Sequence, residues 1–458
     1  MSAILIALLV SLSVPVMSQP GTGSQRLTSC KQPVSAGSPN AIRIAALWTG
    51  VGTPIGSAAS RDGHVFAAYY NADRWMEVVA VAANRARVCT IRLPSRFAGW
   101  DAHNGIAMAI APDATLHLVG NMHASAMFYA QGSAADLSNL QPARMLGRDE
   151  DRATYPTFLH DSAGNLLFLY RTGSSGDGSW LMNRWGGGRW QRIGPLFVDH
   201  DDHGHVSAYP SSFAVGPDGT YHVAVVWRRT PDVATNFAVT YASTRDFVTW
   251  RGAGGRSIKG PLGPDQMAMV EQTGPNAGLV NSASVIVAPD GAPVILYPRH
   301  ARSRNDTIVA ARPTRGGAWQ VRELAVADGS TSVAGGGALA ALPSFAVLAQ
   351  SGWTATLRLS FPPRAHPVVA LNLKTMTAAP GQVPPADAPV AVYTPAQVQG
   401  MAKVSTRQSP VLENGVDGPR RATLRWFAQV ANGDTPRACT AAAPKACAPP
   451  PAPLILEY

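Results

Sequence analysis

The sequence predicts an all-β fold, specifically a single β-propeller of seven four-stranded blades. Three observations carry the expectation. Alternating apolar segments recur, as in Leu166-Leu167-Phe168-Leu169-Tyr170, Tyr221–Trp227 and Val294-Ile295-Leu296-Tyr297, while helical apolar spacing is not sustained over three turns. The 458 residues include 43 glycines and 37 prolines, a composition suited to short strands and many turns. A strand, Asp turn, strand unit also repeats at a spacing of about fifty residues, the length of one four-stranded blade.

The elements follow in chain order. Ala3–Val10 is an apolar run, and small residues up to Ser18 suit cleavage, so 1–18 reads as a signal peptide, although its start has no Lys or Arg. Residues 19–40 are rich in Gly, Ser and Pro and read as a loose arm, followed by the propeller over 41–458. Its repeats are clearest in 55–330. Asp62-Gly63 turns the first copy. Asn104–Asp113 leads into Leu116-His117-Leu118 as the second, and Tyr155–Asn165 forms the third. Tyr209–Gly219 leads into Tyr221-His222-Val223, and Asn281–Gly291 into Pro293–Leu296. Asp-Gly between two apolar runs is a strong hairpin signal. Trp190, Trp250 and Trp319 mark outer strands, and Ser243–Trp250 is a degenerate Asp-box turn. Residues 331–400 carry no clear turn signature. The uncharged run from Thr331 to Gly352 is broken by Gly335, Gly336, Gly337 and Pro343, so no membrane span is expected there. Leu454–Tyr458 or Ile42–Ala45 is expected to close the ring across the termini.

Four cysteines, an even count, fit an oxidising compartment and hence a secreted or periplasmic protein. Cys439 and Cys447 bracket a loop that a local disulfide would staple, which leaves Cys30 and Cys89 to tie the arm to the first blade. Unpaired buried thiols are the alternative. The formal net charge is +10, with a pI near 9.7. Such a balance favours a polyanionic partner. The arginines are dispersed and no nucleic-acid motif occurs, so an acidic polysaccharide is expected rather than nucleic acid, with the chain acting as a monomer.

The chemistry-bearing residues begin with His103 and His123, in Asp101-Ala102-His103-Asn104-Gly105 and Asn121-Met122-His123. Tyr155-Pro156, the Gly-rich stretch Tyr170-Arg171-Thr172-Gly173-Ser174-Ser175-Gly176-Asp177-Gly178, and Ala208-Tyr209-Pro210 follow. This succession, over roughly 55–330, resembles the BNR-repeat-containing family that includes the seven-bladed ulvan lyases. The resemblance implies cleavage of a uronate-containing glycan by β-elimination. A base takes the C5 proton, an acid meets the departing C4 oxygen, and a cation faces the sugar carboxylate. Carried over by the resemblance, His103 and His123 fall on active-site histidines, Tyr170 on the acid/base tyrosine and Arg184 on the carboxylate neutraliser. His103 or Tyr170 would be the base and Tyr170 the proton donor. Asn104, Arg171, Tyr209, Arg228 and Arg299 are expected to bind substrate.

Each residue also has a structural reading. Tyr170 shares a strand face with Phe168 and fits a core aromatic, and Arg184 fits a surface arginine. His117 and His222 occupy equivalent strand positions and read as packing residues. No cofactor is required, although the loop holding His200, His203 and His205 is a candidate for a structural divalent metal. Two other functions compete. A sialidase-like hydrolase needs two carboxylates, or a Tyr/Glu pair with an arginine cluster, and acidic residues are scarce and sit mostly in turns. A non-catalytic glycan-binding protein would show the same charge and repeats without needing His103, His123 and Tyr170 in one cleft.

Overall fold

A computed structural model describes residues 27–336, 339, 342–364, 366–383 and 391–458. The expected signal peptide lies outside these residues. Strands dominate what is described: the helical elements are the four-residue helix Pro395–Val398 and the 3-10 turn Val233–Thr235. No helix among the described residues is long and apolar enough to cross a membrane.

The expectation of a single β-propeller of seven four-stranded blades is corrected by the strand pairing. The strands form eight separate antiparallel sheets of five, four, four, two, seven, five, four and four strands. All but the seven-stranded sheet have a simple linear strand order, and none closes on itself by hydrogen bonds. The departures from regularity have local causes. The hairpin His200–Asp201 with Gly204–His205 pairs only with itself. Ala214–Val215 and Ala268–Gln272 add short strands to the sheet built on Tyr221–Arg228 and Asn236–Thr244. The described part of the N-terminal arm supplies Leu27–Lys31 to the first sheet and Val34–Ser38 to the sheet that holds both chain ends. In that sheet Ala41–Leu47 pairs antiparallel with Ala452–Glu457. Both disulfides form, Cys30–Cys89 between paired strands and Cys439–Cys447 within its loop.

Burial explains the sequence pattern. Inner strands have both faces covered, so Val65–Tyr70 and Tyr221–Arg228 are buried at every position and read as nearly continuous apolar runs. Outer strands face solvent on one side, and Val88–Arg96 alternates accordingly. The apolar clusters lie between sheet faces. Phe66, Met76 and Ile91 of the first sheet meet Met108, Leu116 and Leu118 of the second. Val119 and Tyr129 of the second meet Phe168 and Tyr170 of the third. Leu167 and Leu169 of the third meet Val223 and Trp227 of the next.

Turn chemistry follows the repeat. Asp161 accepts bonds from the backbone of Ala163 and Asn165, and Asp218 from Thr220, each closing a tight turn. In the degenerate Asp-box, Asp246 Oδ1 accepts from the backbone of Val248 and Thr249.

Candidate functional site

The site is built from loops and strand ends of three sheets. Asp101 organises its first side. Its Oδ1 accepts from the His103 backbone at 2.8 Å and from His103 Nδ1 at 2.6 Å, and its Oδ2 bonds His123 Nδ1. The Asp101 carboxyl sits below its ordinary range: burial opposes this, but the bonds from the His103 backbone and the two imidazoles outweigh it. A carboxylate only accepts, so each imidazole donates through Nδ1, and in the neutral ring the lone pair lies on Nε2. The two rings stack with centroids 4.3 Å apart.

Loop anchors hold this pair. Tyr70 Oη donates to the Asn104 carbonyl, and Asn104 Nδ2 to that of Asp101. The loop carrying His123 is pinned by Asn121 to Ser95 and by the Ala124 amide to Thr154 Oγ1.

Thr154 leads into Tyr155, which approaches the histidines with ring centroids 6.1 Å from His103 and 6.3 Å from His123. Tyr155 has φ +57° and lies where the pairing of Ala153–His160 with Leu166–Ser174 slips. A bulky side chain held in this left-handed region costs about 1–3 kcal/mol and marks a place where surrounding structure dictates the geometry. The other side of its ring is parallel to Trp180, 6.0 Å away.

Arg171 lies over Tyr155, its Cζ 4.9 Å from the ring centroid, and its buried Nε lacks a protein partner. Gly178 makes room for it, since a Cβ there would stand 2.8 Å from Arg171 Cδ. Burial pushes the Tyr155 phenol up, and Arg171 and Arg228 pull only part of that shift back.

Tyr209 and Arg228 complete the cleft. The Tyr209 hydroxyl accepts from the Gly176 amide at 2.9 Å and from Arg228 Nη1 at 3.0 Å. Gly176 is needed at its turn, with φ +69° and the Pro231 nitrogen 2.4 Å from where a Cβ would lie. Arg228 donates further to Asn236 and Asn281. A cavity of about 360 Å³ runs beneath, lined by Tyr155, Trp180, Tyr209, Phe213 and Asn281 among others.

The remaining expected residues lie elsewhere. Tyr170 is fully buried between sheets, its hydroxyl bonded by Arg192 Nη2 at 3.0 Å. Burial raises its pKa, with Arg192 offsetting part of that rise. Strand alternation is the reason: Arg171 takes the cleft side, so Tyr170 points into the opposite face with Phe168. Arg184 pairs in register with Leu167, whereas Trp180 pairs with Arg171. Four strand positions separate them, about 13 Å. Arg184 instead meets Asp161 at 3.5 Å. Asp161, His160 and Asp417 line a larger cavity of about 510 Å³, which contains none of the cleft residues. Arg299 is claimed by Glu271 and Glu323, at 2.9 and 3.0 Å.

His117 and His222 are buried against Tyr129 and Tyr241 hydroxyls, and burial lowers both pKa values, that of His117 to about 3. The three-histidine loop does not gather around a point. His205 Nε2 donates to the Gly176 carbonyl, His200 bonds Asp199, and His203 is exposed. Among the described residues, the group that places metal-ligating atoms together is Asp101, His103 and His123, with one atom from each all within 4.8 Å of one another.

Tyr155, which the sequence offers within the resemblance but without a role, is brought into the candidate site. A signal was present: Tyr155-Pro156 and Tyr209-Pro210 occupy matching places in consecutive repeats, so selecting one should have selected both.

The family described as "BNR repeat-containing family member" matches residues 64–327. Among curated proteins none matches the sequence. Among solved structures, polysaccharide lyase Uly1 superposes with a TM-score of 0.54 at 16% identity, over 89% of this chain and 90% of that one. An ulvan lyase from a new polysaccharide lyase family, bound to a GlcA–Rha3S glycan, gives a TM-score of 0.53 at 13% identity, over 85% and 93% of the two chains. At these identities the likeness is one of fold.

Proposed function

The chain belongs to the BNR repeat-containing family, and from that footing we propose that it is a carbohydrate-active enzyme, a lyase that cleaves a uronate-containing glycan by β-elimination. The observation that carries this reading is the convergence of two stacked imidazoles, the Tyr155 phenol and the buried Arg171 and Arg228 guanidiniums on one cleft. The fold shared with two polysaccharide lyases supports it.

The roles follow from charge and proton position. Arg171 and Arg228 face the sugar carboxylate and neutralise it, so that charge developing at C5 is stabilised. The Nε2 of His103 or His123 takes the C5 proton. Tyr155, its pKa raised by burial, rests as a phenol and donates to the C4 oxygen as that bond breaks. The products are a fragment with a new reducing end and an unsaturated uronate with a C4–C5 double bond. Asn104, Tyr209 and Asn281 border the cleft and would hold sugar hydroxyls. Tyr170 and Arg184 take no part in this arrangement, and Tyr155 and Arg171 stand in their place.

The test is a panel of uronate polymers followed by ultraviolet absorbance of the unsaturated product and, in parallel, by reducing-end release. A rise in absorbance that is lost in Tyr155→Phe supports the reading. Reducing ends without absorbance would make the protein a hydrolase. Binding with neither would make it a glycan-binding protein.

A further inference from the structure

Asp101 joins His103 and His123 through their Nδ1 atoms, and that arrangement leaves the cluster open to a competitor of the two protons. The three ligand atoms, two imidazole nitrogens and a carboxylate oxygen, lie within 4.8 Å of one another. The side chains are 23%, 34% and 29% exposed for Asp101, His103 and His123, so solvent ions reach them without unfolding. A second carboxylate approaches from a distant loop: Asp434 Oδ2 stands 3.9 Å from His103 Nδ1. Two imidazoles with one or two carboxylates form a donor set suited to zinc and neighbouring first-row ions, and a poor one for calcium or magnesium, which require oxygen.

We propose that this cluster is a regulatory site for one divalent ion of the zinc class, bound by Asp101, His103 and His123 with Asp434 as an additional ligand, and that the bound ion switches the histidines off as bases. The inference rests on the lyase reading for its consequence but not for the site itself. The ion takes the Nδ1 lone pair of each imidazole. The proton each ring carried on Nδ1 returns to it through solvent on Nε2, so the neutral rings change tautomer with no net gain or loss of protons. Nε2, now an N–H, has no lone pair with which to abstract a C5 proton.

The experiment uses the full chain, stripped with a chelator and titrated with zinc sulfate alone. Stoichiometry is read by calorimetry and elemental analysis, and the imidazole tautomers by nitrogen-15 NMR. One zinc per chain is expected, with His103 and His123 moving to the Nε2–H form. Affinity is expected to weaken roughly tenfold or more in each of His103→Gln, His123→Gln and Asp101→Asn, measured on preparations whose melts show a folded protein. His200→Ala/His205→Ala should bind as the parent does. Failure to bind zinc, binding that survives both histidine substitutions, or binding without the tautomer change overturns the proposal. In a preparation that shows lyase activity, zinc must suppress it and chelator restore it; a bound ion that leaves the rate unchanged sinks the switch. Zinc binding with the tautomer change in a preparation that shows no lyase activity upholds the site and counts against the lyase reading instead.

Discussion

Exchanging the hydroxyls of two tyrosines, Tyr155 and Tyr170, separates the role of the cleft from that of the core. Tyr155→Phe keeps the ring between the histidines and Trp180, so packing is preserved and the change falls on proton donation. General-acid catalysis of this kind contributes roughly a hundred- to ten-thousandfold in rate, which is about 3–5 kcal/mol of activation free energy. The Tyr155→Phe rate should fall by that factor while its KM stays within a few-fold. Tyr170→Phe removes a hydroxyl that accepts from Arg192, whose Nη2 also meets Asp149 at 3.1 Å. The guanidinium keeps a partially exposed partner, so the cost should be about 1–3 kcal/mol of stability, with turnover per folded molecule nearly unchanged. The assay pairs initial rates of unsaturated-product formation with thermal melts of the same preparations. A Tyr155→Phe protein with the parent's turnover, or a stably folded Tyr170→Phe protein without turnover, would refute the assignment.

Three further expectations follow from particular residues. Arg171→Gln removes a positive charge that holds the Tyr155 pKa down. The alkaline limb of the pH–rate profile, where the phenol loses its proton, should move to higher pH, and turnover should fall with lost carboxylate neutralisation; a limb that stays in place argues against the contact. His117 is neutral when folded, with a pKa lowered by burial from 6.5 to about 3. The unfolded chain therefore binds the extra proton across that window, and stability should decline as pH falls from about 6.5 towards 3. Chemical denaturation of His117→Phe across that range should show a shallower slope, and an identical slope would remove His117 as the cause. The Cys30–Cys89 disulfide closes a separation of 59 residues, which in the chain-entropy account corresponds to about 4 kcal/mol. The Cys30→Ser/Cys89→Ser protein should melt lower under non-reducing conditions and show no further loss on reduction beyond that from Cys439–Cys447; equal melting temperatures would mean that Leu27–Lys31 is held by other contacts.

Much of the strand content was legible from sequence because period-two alternation and Asp turns are local properties. Asn104–Asp113, Tyr155–Asn165 and Tyr209–Gly219 each contain a turn that the structure forms, and the buried roles of His117 and His222 could be read from their places in apolar strands. The Cys439–Cys447 staple was legible for the same reason, whereas Cys30–Cys89, 59 residues apart on paired strands, followed only as the remaining pair. The number and regularity of sheets were not. Average repeat spacing cannot distinguish a hairpin such as His200–His205 that pairs with itself from one that joins a neighbour.

By itself, the sequence determined the strand–turn–strand units of the clearer repeats, the basic charge, and His103 and His123 as candidates. Only the tertiary structure decided which side chains share a cleft. Proximity there depends on strand register and on which face each residue takes: one step along Leu166–Ser174 sends Arg171 to the cleft and Tyr170 into the core, and the register slip at Tyr155 turns a strand residue towards the histidines. A side-chain period of two makes a one-residue difference a change of face, and that choice is settled by packing between sheets rather than by the chain's local pattern.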